Sequence, residues 1–324
     1  MAQKKLIKAV WELTKPVEYF LASRYRRALV YVFSVPKVVR FAQPFYVPKS
    51  GGRKRLIIPA EEDLRLVQGV LANWIVKTFP LGDDYCYLGR RGVLAAVRRH
   101  RRSGYALVVD LKDAFDSVTA EKIHHWLNFY LPKVGSEVIK CIVDFLTYQG
   151  RAPQGCVSTP YVYNLVTRPL DKGLELLLQQ FGLSALTRYS DNICLSSEQP
   201  IDLNGLEDQV RRLVRGNGFE LSWSHRFVEK PIIYLGTEIY RGQLGLAEEK
   251  YGEFLNRLLE AVLSPTPEIY RHQMTGTFNW THHICGEEIP NDLLSLFARY
   301  FGKVGRTPKP LARILSQKKM RKMF

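Results

Sequence analysis

The sequence predicts a mixed α+β fold, and three of its features lead to that expectation. Apolar residues recur at spacings of three and four in the first forty residues and again in the last third, as in amphipathic helices. Residues 105–111, YALVVDL, form an uninterrupted apolar run of the kind that is buried on both faces of a sheet. Residues 186–197, LTRYSDNICLSS, place apolar residues on either side of a polar centre and predict a hairpin.

In chain order, the first third begins with helices and continues into the predicted sheet. Pro16 interrupts the helical periodicity of residues 1–40. Residues 45–58 indicate a strand, a turn at Gly51-Gly52 and a second strand, followed by a helix that opens at Pro59. Residues 92–104 predict a helix with a basic end, which leads directly into the 105–111 strand.

The rest of the chain alternates between helices and short strands. Its predicted elements are helices at 119–131 and 137–148, a Gly/Pro loop leading into a long helix over 150–181, the hairpin, a helix at 206–218, strands around 219–223 and 232–240, and a mostly helical segment from 248 onwards. No internal repeat or flexible linker interrupts this series, so the parts are expected to pack as one body.

The composition limits the class of protein. The chain has 324 residues, a formal net charge of +16 and 46% hydrophobic residues, which predicts a folded core and excludes wholesale disorder. No apolar run reaches the roughly 18–20 residues of a membrane span, the N-terminus lacks a signal peptide pattern, and the five cysteines form no Cys-x-x-Cys pair. We therefore expect a cytoplasmic protein without membrane contact, and a polyanionic partner, nucleic acid first.

Two aspartates stand at the ends of predicted strands. Asp110 follows the apolar run YALVV, and Asp191 lies at the centre of the hairpin pattern. If the two strands are neighbours, the carboxylates could hold a pair of Mg²⁺ ions, about 3.5–4 Å apart, for phosphoryl or nucleotidyl transfer. Taken alone, each aspartate is better explained as a turn residue, because Asp is common in turns.

The order of the surrounding motifs changes this interpretation. The segments FYVPKSGGRKRLIIPAEEDLRLVQ, VVDLKDAFDSV, APQGCVSTPYVYNL, RYSDNI and YLGTEI follow one another along the chain. This series resembles the palm of the reverse transcriptases, specifically the bacterial retron and group II intron-like enzymes, over about residues 40–240. The resemblance implies a right-hand polymerase fold, with an N-terminal helical segment at 1–40, fingers and palm at 41–240, and a helical thumb with a basic C-terminal tail at 241–324.

The same resemblance implies roles for individual residues. Asp110 and Asp191 match the catalytic, metal-binding carboxylates, and Phe115 matches the aromatic residue under the sugar of the incoming nucleotide, where its bulk would exclude a 2′-hydroxyl. The other positions that match nucleotide-binding residues are Lys54, Arg55, Gln154 and Gly155. The spacing does not decide which of Lys54 and Arg55 binds the triphosphate. Without the family pattern, Phe115 would be interpreted as a core aromatic and the two basic residues as part of a solvated turn.

The chain departs from the family pattern at two places. Asn192 replaces the second aspartate of the hairpin, so a neutral carbonyl ligand replaces a carboxylate, and weaker Mg²⁺ affinity and slower turnover are expected. The segment GFELSWSHRF lacks the family's Asn and Lys residues. His225 is the candidate to protonate the leaving pyrophosphate, with an ordinary surface histidine as the alternative. The implied cofactors are two Mg²⁺ ions held by Asp110, Asp191 and Asn192, with Mn²⁺ as an alternative.

A basic run before the first catalytic motif predicts contact with RNA or DNA, with a solvated helix face as the alternative. Its residues are Arg98, Arg99, Arg101 and Arg102. The resemblance implies further partners: a dedicated noncoding RNA that supplies template and primer, the DNA product, dNTPs, and an effector or partner protein.

The resulting prediction is an RNA-directed DNA polymerase of retron or defence type that acts in antiphage defence. Two alternatives stay open: a catalytically attenuated or inactive scaffold that binds RNA, and a DNA polymerase that works without a template or from a protein primer. The joint presence of Asp110, Phe115, Gln154 and Asp191 argues against the inactive scaffold, which would not need them together.

Overall fold

The computed structural model describes residues 2–15, 19–48, 54–80, 85–86 and 92–321. The helices in these ranges are α1 (Ala2–Thr14), α2 (Tyr19–Ser34), α3 (Glu62–Thr78), α4 (Val93–Arg99), α5 (Ala120–Tyr130), α6 (Ser136–Leu146), α7 (Thr159–Gln180), α8 (Leu203–Gly216), α9 (Glu248–Leu263), α10 (Arg271–Cys285), α11 (Asn291–Lys303) and α12 (Lys309–Arg321). Short 3₁₀ helices lie at Lys37–Arg40 and Pro267–Tyr270.

The strands form a central sheet and two smaller ones. Their bounds are β1 (Phe45–Pro48), β2 (Lys54–Ile57), β3 (Tyr85–Cys86), β4 (Tyr105–Leu111), β5 (Ala185–Tyr189), β6 (Asn192–Ser197), β7 (Leu221–Val228), β8 (Ile232–Tyr234), β9 (Thr237–Tyr240) and β10 (Gln243–Leu246). The central sheet has the order β3-β5-β6-β4-β7, β1 pairs with β2, and β8, β9 and β10 form an antiparallel meander. The predicted 105–111 strand and the predicted hairpin are confirmed as β4 and β5–β6.

The alternation of side chains along β4 explains why this strand is apolar throughout. Leu107 and Val109 belong to a large core shared with α3, α5, α6 and α7, whereas Ala106 and Val108 belong to a second core on the other face of the sheet, shared with α4, β8 and β9. Because adjacent residues of a strand face opposite sides, both sides of β4 require apolar residues. The first polar side chain after this run is Asp110, at the end of the strand.

Two local predictions differ from the structure. The helix predicted to open at Pro59 begins at Glu62, because the Pro59 carbonyl accepts a hydrogen bond from the Ala42 amide (2.9 Å) and Ala60 forms a β-bridge with Phe41. The C-terminal segment predicted as a basic tail is helical as far as Arg321. The turn predicted at Gly51-Gly52 and the last residues of that segment, 322–324, lie outside the described residues.

The helices after β10 pack around a core of their own. Its aromatic buried members are Phe254, Phe278, Phe297, Tyr300 and Phe301, none of which belongs to the two cores of the central sheet. Ile284 of α10 packs instead into the second core of the central sheet, so the helical segment rests on that face. The division of the chain at residues 40 and 240 stays a prediction. None of the helices in the described part of the chain is long and apolar enough to cross a membrane.

Candidate active site

One cleft combines residues from five separate parts of the fold. It lies between the β1–β2 hairpin, the end of β4 with the segment that follows it, the loop before α7, the β5–β6 turn and the start of β7. Its lining includes six of the residues named from the sequence: Lys54, Arg55, Asp110, Phe115, Gln154 and Asp191. The fold therefore brings together residues that are far apart along the chain.

Asp110 lies at the end of β4, between the two neighbouring strands. It is paired with Asn192 of β6 on one side and with Trp223 of β7 on the other. The β4–β7 register shifts immediately after Asp110, and such an irregularity re-aims nearby side chains. The Ser222 hydroxyl donates a hydrogen bond to the Asp110 carboxylate and lies 3.3 Å from the Asp110 carbonyl oxygen. A neutral donor thus holds this carboxylate at the edge of the cleft.

Asp191 lies in the tight turn of the β5–β6 hairpin. The Asp191 carbonyl accepts a hydrogen bond from the Leu111 amide (2.9 Å), which fastens the turn to the end of β4 beside Asp110. The side-chain amide of Asn192 donates to Asp191 Oδ1 at 3.2 Å. Each of the two candidate metal-binding carboxylates therefore receives a hydrogen bond from a neutral side chain.

The donor set at this position fits a hard divalent cation. Carboxylate and amide oxygens are typical Mg²⁺ ligands, and Mg²⁺ usually keeps several water or substrate oxygens as well. Among the described residues, no group of three or more His, Cys, Asp and Glu side chains is placed to hold a metal ion. Asp110, Asp191 and Asn192 stay the predicted metal ligands.

The turn that presents Asp191 has an unusual backbone conformation. Ser190 has a φ of 58°, in the left-handed region, and is buried. Its carbonyl accepts hydrogen bonds from the Tyr163 hydroxyl (3.2 Å) and from Arg188 Nη1 (3.1 Å). A left-handed backbone is unfavourable for a residue other than glycine. The two donors therefore stabilise a conformation that an isolated turn would not favour.

Arg188 belongs to a buried network that the sequence analysis did not identify. It is fully buried in β5, makes two hydrogen bonds to the Asp171 carboxylate at 2.6 and 2.7 Å, and donates to Asn164 Oδ1 at 3.2 Å. A buried charge requires such a partner. The available signal was an arginine within a predicted strand of the hairpin, at a position that is buried.

Phe115 connects the cleft to the core. Its ring lies 5.0 Å from that of Tyr163 and packs against the large core, while part of its surface lines the cleft. The alternative interpretation as a core aromatic and the predicted position beside the nucleotide are therefore both compatible with its location.

A close approach of two chain segments explains why residue 155 is a glycine. Its φ is +104°, and a Cβ atom there would lie 2.6 Å from Ile57 Cγ2. The preceding carbonyl, of Gln154, accepts a hydrogen bond from the Ile58 amide at 2.7 Å. The loop before α7 is thus fastened to the end of β2. The glycine is required for this contact, whether or not the loop also contacts a base.

Comparison with known proteins identifies the family. Residues 47–239, more than half of the chain, match the sequence profile of the family described as reverse transcriptase (RNA-dependent DNA polymerase). The chain belongs to this family. The predicted right-hand polymerase fold and the predicted enzyme class, an RNA-directed DNA polymerase, are confirmed at the level of the family.

The curated relatives of this reverse transcriptase are retron enzymes, as the motif series predicted. The retron Ec86 reverse transcriptase of Escherichia coli is 24% identical over 234 residues, which cover 69% of this chain and 71% of that protein. The retron Mx65 reverse transcriptase of Myxococcus xanthus is 25% identical, over 77% of this chain and 63% of that protein. The retron Mx162 reverse transcriptase, also of Myxococcus xanthus, is 25% identical, over 46% of this chain and 34% of that protein. The chain thus spans about a third to about seven tenths of the length of these relatives.

The β1–β2 hairpin of the reverse transcriptase places two cations at the cleft. Lys54 is opposite Pro48 and Arg55 is opposite Val47, so the two side chains leave the hairpin on opposite faces. Both are exposed and both line the cleft, and Arg55 also lines an adjoining cavity with Phe115 and Gln154. The structure therefore leaves both as candidates for binding the triphosphate.

His225 lies outside the lining of this cleft. It is exposed on β7 opposite Val108, two residues before Asp110 along β4, and its ring lies 5.1 Å from that of Trp223. Trp223, not His225, is the β7 aromatic residue that lines the cleft. The role of general acid for His225 stays a prediction.

The predicted nucleic-acid-binding arginines lie at the opposite end of the central sheet. Arg98 and Arg99 end α4, and Arg101 and Arg102 follow it; all four are exposed. β4 begins at Tyr105, shortly after this run. Because a strand rises about 3.4 Å per residue, Asp110 lies about 17 Å further along β4 than Tyr105. The arginines are therefore not part of this cleft, and a nucleic acid that contacted both places would have to extend along the length of β4.

Proposed function

We propose that the cleft catalyses RNA-templated DNA synthesis. The observation that supports this most directly is the position of Asp110 beside the Asp191 turn, in a cleft shared with Phe115 and Gln154. In the proposed reaction the primer 3′-hydroxyl loses its proton to solvent and attacks the α-phosphate of a dNTP. A new phosphodiester bond forms, and the bond to pyrophosphate breaks. Lys54 and Arg55 would neutralise charge on the triphosphate.

Asp110, Asp191 and Asn192 are proposed to hold two Mg²⁺ ions, with Mn²⁺ as an alternative. When bound, such ions activate the attacking hydroxyl and neutralise charge on the phosphates. The protein's own contribution is to orient the ligands, because Ser222 and Asn192 each donate a hydrogen bond to one carboxylate. Since Asn192 carries no charge, we expect weaker Mg²⁺ affinity than a site with three carboxylates would have.

The biological setting is proposed from the retron relatives. A dedicated noncoding RNA as template and primer, an effector or partner protein, and a role in antiphage defence all rest on that similarity, at 24–25% identity. Cys141, Cys156, Cys194 and Cys285 are free thiols, which supports a reducing compartment and hence the cytoplasm.

The hydrogen bonds around the two aspartates favour a catalyst over an inactive scaffold. An RNA-binding scaffold has no need for two half-buried carboxylates that are each oriented by a neutral donor. No contact of the described residues specifically favours template-independent synthesis, which is tested below.

The decisive experiment measures incorporation of labelled dNTPs by the purified protein with its co-bound RNA. Asp110→Ala and Asp191→Ala should each reduce incorporation at least about a hundredfold, because removal of a group needed in the transition state costs several kcal/mol. The matched control is Asp208→Ala, an exposed aspartate on α8, which should retain activity. Undiminished synthesis by either cleft variant would contradict the assignment, and synthesis that persists after RNase treatment would favour the template-independent alternative.

A further inference from the structure

The carbonyl of Ser190 connects the cleft to two buried donors that have no assigned role. It belongs to the residue before Asp191, and it accepts hydrogen bonds from the Tyr163 hydroxyl and from Arg188. Because φ of Ser190 is 58°, the direction of this carbonyl and the position of the next residue depend on contacts made from outside the turn. The two donors come from different elements, α7 and β5.

Tyr163 is placed to influence both sides of the cleft at once. It is fully buried, its ring lies 5.0 Å from that of Phe115, and its hydroxyl reaches the Asp191 turn. Burial raises the pKa of this hydroxyl, so it stays protonated and acts as a hydrogen-bond donor. A phenylalanine would fill the same space but could not donate to the Ser190 carbonyl, which would keep only the hydrogen bond from Arg188.

Arg188 is the second donor to the Ser190 carbonyl. Its guanidinium lies 5.4 Å from the Tyr163 ring centroid, and its charge is balanced by the two hydrogen bonds to Asp171. The Arg188–Asp171 ion pair therefore carries little net charge, and it holds the Arg188 guanidinium in place as a donor to the Ser190 carbonyl. This leaves Tyr163 as the donor that can be removed without leaving a buried charge unpaired.

We propose that the Tyr163 hydroxyl is a positioning group that sets the direction of the Asp191 carboxylate through the Ser190 carbonyl. The inference rests on the proposed function, because it assumes that Asp191 binds the metal ions. The Tyr163 ring has a separate effect, which is to support Phe115 on the nucleotide side of the cleft.

The test is Tyr163→Phe, which keeps the ring and removes the hydroxyl. Its matched control is Tyr25→Phe, because Tyr25 is also fully buried and its hydroxyl makes a 2.6 Å hydrogen bond to Thr14 in the N-terminal helices. Four quantities are measured for each variant: Tm, kcat and KM for dNTP incorporation, and Mn²⁺ affinity by electron paramagnetic resonance with a primer that lacks its 3′-hydroxyl. The last measurement does not depend on turnover.

We expect Tyr163→Phe to lower kcat and to weaken Mn²⁺ binding, each by about five- to tenfold, the usual effect of one lost hydrogen bond. KM for dNTP and the preference for dNTPs over rNTPs should change little, since the ring stays in place. Tyr25→Phe should lower Tm by a similar amount and leave kcat and Mn²⁺ affinity unchanged.

Wild-type kcat and Mn²⁺ affinity in Tyr163→Phe would overturn the positioning role, and so would equal losses in the two variants. Failure of the proposed function has a different signature: the wild-type protein itself would incorporate no dNTP, and Asp191→Ala would bind Mn²⁺ as well as the wild type does.

Discussion

Phe115 shows how one residue can serve both the core and the cleft. Its ring packs against that of Tyr163, while part of its surface lines the cleft, where the incoming sugar is predicted to lie. Phe115→Val should therefore admit rNTPs much more readily, because the bulk that would meet a 2′-hydroxyl is removed. The measurement is the ratio of kcat/KM for a dNTP and the matching rNTP. Equal ratios in the variant and the wild type would remove Phe115 from this role.

Asn192 gives a second prediction at the level of a single residue. Asn192→Asp adds a carboxylate beside Asp191 and removes the amide donor that now contacts Asp191 Oδ1. We expect a lower half-saturating Mg²⁺ concentration, because the added negative charge attracts the cation. The assay is dNTP incorporation as a function of Mg²⁺.

Asn204→Asp is the control for this change, since it makes the same charge change at an exposed position of α8. Its Mg²⁺ dependence should equal that of the wild type. Loss of synthesis in Asn192→Asp at every Mg²⁺ concentration would mean that the amide donor is essential, and that the substitution is part of how this enzyme works.

At the level of elements, His100 fastens the end of α4 to the central sheet. It is fully buried, and its two ring nitrogens lie 2.6 Å from the Ser196 hydroxyl and 2.8 Å from the Thr187 hydroxyl. Burial, with a smaller effect of the Arg99 charge, lowers the pKa of His100 from 6.5 to about 3. The neutral ring thus forms part of the joint between α4 and the β5–β6 hairpin.

This pKa predicts the pH dependence of stability. Below pH 6.5 the unfolded chain binds a proton at His100 that the folded chain does not bind, so the free energy of unfolding falls as the pH drops from 6.5 towards 3. The slope from this group approaches about 1.4 kcal/mol per pH unit. Urea denaturation between pH 7.5 and 5 would show it.

His100→Gln should be less stable than the wild type at pH 7.5 but should lose less stability on acidification. The comparison variant is His125→Gln, at an exposed position of α5, which should follow the wild-type curve. An unchanged pH slope in His100→Gln would show that His100 is not the group responsible.

The elements that the sequence predicted well are those defined by local patterns. The 105–111 strand, the hairpin around Ser190 and the helix at 248–263 follow from periodicity alone and have the bounds expected within a few residues. The start of α3 was missed because the Pro59 carbonyl bonds to Ala42, a contact that periodicity does not reveal. Arg188 was missed for a related reason, since its Asp171 partner lies on a different element.

The sequence predicted residues that form the candidate site, but not the hydrogen bonds that position them. The motif series named six of the residues that line the cleft, because each belongs to a short conspicuous segment. Ser222, Tyr163 and Arg188 contact those residues or the Asp191 turn. They lie within segments that the motif series singles out, but the sequence pattern assigns no role to them. Their roles arise from the registers of β4, β5 and β7, which only the folded chain defines.

At the level of the whole molecule, the positive charge is not confined to the cleft. Two turns bring further cations to the basic run. The Glu229 amide donates a hydrogen bond to the Gly104 carbonyl (2.7 Å), which places the next residue, Lys230, near the run. Arg101 donates to the carbonyl of Gly242, the residue that follows Arg241. Cations from three segments thus share one end of the central sheet, while Lys54 and Arg55 stand at the other. An RNA bound at both ends would need a folded region outside the cleft as well as a template segment inside it.

The salt dependence of RNA binding tests this arrangement. With a net charge of +16, log K should fall linearly with log salt, with a slope of about −0.7 to −0.9 per contacted phosphate. Replacing Arg98, Arg99, Arg101 and Arg102 by Gln should make the slope shallower by that amount for each arginine on the RNA. A matched set, Lys4, Lys5, Lys8 and Arg27 replaced by Gln at exposed positions of α1 and α2, also lowers the net charge from +16 to 16 − 4 = +12.

Because the two sets have the same net charge, only the position of the lost cations distinguishes them. The α4 set should lose slope and affinity for the co-purified RNA while it still extends a DNA primer on a short unstructured RNA template, since the cleft about 17 Å away is intact. The α1–α2 set should keep the wild-type slope. Equal losses in both sets would show that overall charge, and not this end of the sheet, governs binding. If random RNA of equal length competes as well as the co-purified RNA, the affinity is electrostatic alone and a dedicated RNA partner is excluded.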